Sequence, residues 1–239
     1  MTPNVQQPVA AHNAVINSIL DNCREHIDRA AHLSESERIA AKEWLEKLKT
    51  TGFVETSDNE PARKAAVGGV QWAMEASLQG IQYIITPDRP TPFRTHGEAQ
   101  RAHGQAEREE GLIQRMLQGN SLHLVFCKEG VGTPNQDAIY RREVLEQFAG
   151  SERLQEHYLV HSKEMFPVEH SGAFILAPHN GATVAFAIHA AQVDKVTNTK
   201  VIRLYFGVLE SGSTHPLDVA LNDWKKFLQD ENIPFAGGN

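Results

Sequence analysis

Three apolar runs set close together restrict what this chain can fold into more than any other feature. AFILA (173–177) and TVAFAIHA (183–190) flank Pro178-His179-Asn180-Gly181, and KVIRLYFGV (200–208) follows across a polar loop. Each run is short and rich in β-branched or aromatic residues, and Asn-Gly readily adopts the positive φ angles of a tight hairpin turn. The three runs therefore predict an antiparallel meander. Two further strands are expected upstream: IQYIIT (81–86), ended by the three prolines of PDRPTP, and LHLVF (122–126).

The first eighty residues read differently. From Asn13 to His32, Ile16, Ile19, Leu20, Cys23, Ile27, Ala30 and Ala31 recur at three- and four-residue steps, the stripe of an amphipathic helix. Ser34 and Glu37 have the spacing of a capping box and Gly52 follows the last turn, so a second helix is expected over 35–49. Pro61 opens a third that carries Val67, Val70, Trp72, Ala73 and Leu78 and stops at Gly80. A helix with Val144, Leu145 and Phe148 and another over LDVALNDWKKFLQ (217–229) complete the pattern. The expected fold class is α+β, an N-terminal helical lobe followed by a mixed or antiparallel sheet with flanking helices. The division is a disordered leader over 1–12, the lobe over 13–80 and an α+β domain over 81–239, with lobe and domain forming one compact unit.

Residues 94–114 repeat one seven-residue phrase three times: RTHGEAQ, RAHGQAE, REEGLIQ. Seven residues are nearly two helical turns, so Arg94, Arg101 and Arg108 form one row and Gly97, Gly104 and Gly111 another. Ala99, Ala102, Ala106 and Ile113 fall on the opposite, core-facing side. His96 and His103 would stand about 10.5 Å apart along a straight helix, too far to share one zinc ion. Three glycines on one helix face imply that another element or a ligand comes close to it.

Charge and composition narrow the function. The 239 residues carry a formal net charge of −7 at pH 7, and no local basic patch offsets it, so no nucleic-acid partner is expected. No run approaches the length of a membrane-spanning helix, and the start MTPNVQQPVAAHN lacks the features of a secretory signal. A soluble protein with no membrane partner is expected, cytoplasmic or injected into a host cell, because that polar start resembles the leaders of bacterial proteins exported by injection machines. Two cysteines are too few for a disulfide framework.

Five histidines lie between 157 and 189. His157-x3-His161 lacks the glutamate of a zinc protease, and on a strand the pair would stand about 13 Å apart, so no metal is expected. Cys127, followed by Lys128, could form a thiol hydrolase, a protease or deamidase, with His179 or His189 as base and Asn180 or Asp194 as orienter. A core cysteine is the plainer reading. KEGVGT (128–133) is an incomplete phosphate loop. Arg89 and Arg94 leave the end of the first strand of the α+β domain, where phosphate-binding groups are common.

A helical lobe, a strand ending near Asp88-Arg89-Pro90, a helix, a short strand and a late strand ending at VLESGS (208–213) resemble the layout of ADP-ribosyltransferase toxins. The resemblance implies that NAD is the substrate, that arginines near the early strand, here Arg89 and Arg94, hold it, and that Glu210 stands for the glutamate that stabilises the charge developing on the ribose. It implies a soluble bacterial effector-like enzyme that transfers ADP-ribose to a protein substrate, a host protein being one candidate. The alternatives are the Cys/His hydrolase and a non-enzymatic protein-binding module.

Overall fold

The computed structural model describes residues 6–57, 61–87, 113–127, 148, 151–160, 162–179, 181–194, 199–209 and 214–235. The fold is α+β. Helices α1 (Gln6–Arg29), α2 (Glu35–Thr51) and α3 (Pro61–Ser77) form the lobe, and α1 begins inside the segment expected as a leader. The capping box at Ser34 is formed as its spacing requires: the Ser34 hydroxyl accepts from the Glu37 amide and the Glu37 carboxylate accepts from the Ser34 amide. Gly52 closes α2 with φ 66°, and a Cβ there would strike the His215 ring.

Between α2 and α3 lies β1 (Phe53–Ser57), a strand that the sequence reading passed over as a polar loop. The other strands are β2 (Ile81–Thr86), β3 (Ser121–Cys127), β4 (Leu154–Leu159), β5 (Gly172–His179), β6 (Ala182–Asp194) and β7 (Thr199–Val208). They form one mixed sheet in the order β1-β7-β6-β5-β2-β3-β4. As the Asn-Gly signal predicts, β5, β6 and β7 are antiparallel neighbours. The β2-β3 and β3-β4 pairs are parallel, and β1 joins β7 at an edge of the sheet. The sevenfold phrase lies outside the described residues except for its end, where residues 113–117 are helical and Ile113 is buried as its place on the core side predicts.

Alternation along the strands divides the core. Ile175, Val184, Phe186, Ile202, Leu204 and Phe206 point to the face covered by α1, α2 and α3. Phe174, Leu176, Ala185, Ala187 and Tyr205 point to the other, where the closing helix α4 (Pro216–Asp230) packs Leu217, Leu221, Trp224, Phe227 and Leu228 against them. Burial of both faces explains why the central strands read as near-continuous apolar runs. No helix among the described residues is long and apolar enough to cross a membrane.

Candidate functional site

A row of polar groups crosses the α4 face of the sheet where the aromatic core ends. Register sets Gly172 beside His189, His189 beside Arg203 and Arg203 beside Glu55, so four neighbouring strands contribute to one line. The next row of the same face, Phe174, Ala187, Tyr205 and Phe53, is aromatic and apolar. Above it, Pro216, Val219, Ala220, Asp223 and Trp224 recur at three- and four-residue steps and so share one side of α4. Sheet and helix enclose a crevice of about 600 Å³, closed at one end by the single-turn helix Val168–His170.

Packing fixes the histidines of this crevice. The Trp224 indole N–H donates to the His170 carbonyl at 2.9 Å, and the His170 ring stacks on Phe227 at 4.5 Å. His189 meets the Trp224 ring edge-on, with centroids 5.8 Å apart, and the Glu169 backbone beside it opposes the downward shift of its pKa. Gly172 lets the indole lie this close, since a Cβ there would run into the Ile188 carbonyl and come within 3.0 Å of the Trp224 ring. Burial lowers the pKa of His189, helped by the charge of Arg203, and burial lowers that of His170. Both are therefore neutral at pH 7. Among the described residues, neither His189 Nε2 nor His170 Nδ1 has a hydrogen-bond partner, although both atoms are buried.

Arg203 Nε donates to the Glu55 carboxylate at 2.8 Å, a contact that raises the guanidinium pKa further. Tyr205 is buried beside it, and burial raises its phenol pKa. The lining carries three acidic side chains, Glu55, Glu169 and Asp223, against Arg203, which Glu55 already engages. An anionic ligand would meet net repulsion there, whereas a neutral or cationic molecule that donates hydrogen bonds would not.

Of the residues singled out from the sequence, His189 is in this crevice. Arg89, Arg94 and Glu210 lie outside the described residues. The thiol-hydrolase constellation is not formed. Cys127 is fully buried, and three strand spacings separate its strand from that of His189, about 14 Å. His179 ends β5, which runs antiparallel to β2, and so sits at the opposite end of the sheet from Cys127. Cys23 is also buried, and burial pushes its thiol pKa up to about 12. Arg203 and Tyr205 escaped the sequence reading, although an arginine inside the apolar run VIRLYFGV marks a place where a strand face turns polar. Glu55, Glu169 and Asp223 carry no such signal.

Among the described residues, no group of three or more His, Cys, Asp or Glu side chains could hold a metal ion. No family model matches the chain, and no curated protein matches it. Among solved structures it is similar to NucT from Helicobacter pylori, at 10% identity and a TM-score of 0.39, over 77% of this chain and 98% of that one. A likeness of that extent carries no activity across. The expectation of ADP-ribosyl transfer is corrected: none of these comparisons leads to an ADP-ribosyltransferase. Within the early strand itself, the Ile84 and Ile85 side chains are buried in the core and offer NAD no polar group.

Proposed function

We propose that the crevice under α4 is a general-base site for a small, uncharged or cationic substrate that bears a hydroxyl or amine donor. One observation carries this reading: His189 is a neutral imidazole that lines the crevice, and its buried Nε2 has no hydrogen-bond partner among the described residues. A neutral imidazole has one acceptor nitrogen, and the unpaired Nε2 takes that role here. A substrate donor that reaches the nitrogen on a small side-chain shift satisfies it and stands ready to lose its proton to it. Phe53, Tyr205 and Trp224 offer aromatic surface to the rest of the molecule, and the acidic lining favours a positive charge on it.

The test is a ligand-observed NMR screen with matched sets of neutral, cationic and anionic small molecules, against the native chain and against Val219→Trp. Val219 is 51% exposed at the crevice, so the larger side chain fills its mouth without entering the core. Neutral or cationic donors should bind the native chain and lose binding in the variant. Any turnover of a bound compound should fall about 100-fold in His189→Gln. A screen in which anions alone bind, or in which Val219→Trp changes nothing, would overturn the reading.

A further inference from the structure

A second cavity, of about 210 Å³, lies on the other side of the sheet among α1, α3 and the helical turns at 113–117. Arg115, a residue only 6% exposed, is part of its lining. The segment runs into β3 through a turn in which Asn120 bonds the Arg115 carbonyl and holds the Gly80 amide, and this sets the arginine beneath the end of α3. There Arg115 Nη1 donates to the Glu75 and Leu78 carbonyls, groups left over at the end of the helix. That contact accounts for one arm of the side chain. The other arm, Nη2, is buried and has no partner among the described residues. Removing a guanidinium N–H from water without replacing its hydrogen bond is costly, and a purely structural cap would not require it.

The lining shows what could accept that bond. Glu75 is 3% exposed, is held by the side-chain amides of Gln71 at 3.0 Å and Gln82 at 2.8 Å, and attracts the guanidinium. Its carboxylate balances the charge of Arg115, and His26, whose pKa is lowered by burial and then by Arg29, adds no charge at neutral pH. An anion entering the cavity would therefore meet Glu75 without a net positive field to draw it in. Trp72 and the His26 ring, 5.5 Å apart and nearly perpendicular, form an aromatic wall, and the Gln114 and Gln118 amides stand at the rim. We propose that this cavity is a binding site for an uncharged planar molecule, an aromatic amide or lactam, whose carbonyl oxygen accepts from Arg115 Nη2 after a side-chain shift that uncovers that atom. It is independent of the crevice under α4.

Benzamide and benzoate are the probes, titrated by ligand-observed NMR into the native chain, into Ala76→Phe and into Val219→Trp. Ala76 is an exposed helix position on the cavity lining, so the variant blocks the site while leaving Arg115 and the core in place. The native chain should bind benzamide saturably and at least tenfold more tightly than benzoate. Ala76→Phe should weaken benzamide binding at least tenfold, and Val219→Trp should leave it unchanged. The proposal fails if benzamide shows no saturable binding, if benzoate binds equally well, if Ala76→Phe has no effect, or if Val219→Trp abolishes binding and so places the probe in the other crevice.

Discussion

Acid should unfold this protein through His123. The residue lies in β3 with 5% of its surface exposed, its ring 4.4 Å from that of Tyr83 and its Nδ1 3.0 Å from His157 Nε2 on the neighbouring strand. Burial first, and then the charge of His157, lowers its pKa from 6.5 to about 4. The lowered value belongs to the folded state, so between pH 6.5 and pH 4 the unfolded chain binds the proton more readily. Stability is therefore full above pH 6.5 and drains away as pH falls toward 4. Linkage gives a loss of about 2 kcal/mol by pH 5 and about 3 kcal/mol by pH 4 from this side chain alone. Urea unfolding of the native chain and of His123→Gln at pH 8 and pH 5 measures it. Both proteins pass the same acid losses through His26, His170 and His189, the loss through His157 comes from its own burial and persists in both, and any packing cost of the substitution is present at both pH values, so all of these cancel in the double difference. The native chain should lose about 2 kcal/mol more than the variant over that interval. Equal losses would refute the reasoning, because a histidine buried between Tyr83 and His157 cannot take up a proton without a penalty.

Gly172→Ala should destabilise the fold by about 2 kcal/mol or more, since the new methyl meets the Ile188 carbonyl and the Trp224 ring, and thermal melts followed by tryptophan fluorescence report both effects. A thiol reagent at pH 8 should modify neither Cys23 nor Cys127 in the folded chain and both in urea; rapid labelling of Cys127 in the native state would contradict its burial. Glu55→Gln should change the unfolding free energy by less than about 1 kcal/mol, because the Arg203 pair is open to water on both sides, and the effect should shrink in salt.

How far the sequence reaches is clearest from individual elements. β2 spans Ile81–Thr86 as read, because β-branched and aromatic residues ended by prolines admit little else. The capping box at Ser34 and Glu37 is local chemistry and was legible without any partner. β1 was not. From Phe53 to Thr56 only Val54 is deeply buried, and the strand exists because Phe53 through Ser57 pair with Tyr205 through Val201, about 150 residues away along the chain. The β4 strand, LQEHYL, likewise forms by pairing with β3, and its exposed Tyr158 and half-buried charges hide it from a hydrophobic pattern.

The candidate site divides in the same way. Sequence alone picked out His189 as a titratable group beside a strand, and it determined which residues alternate toward one face. It could not set Glu55, Arg203 and His189 in one line, because that line is made by register between strands far apart in the chain. Nor could it bury a ring nitrogen of His189 with no partner among the described residues, since that depends on Trp224 crossing Gly172 and on the packing around the ring. Periodicity and capping are interactions over a few residues, and the chain carries them wherever it goes; charge balance, burial and unpaired donors arise only when distant segments exclude water together.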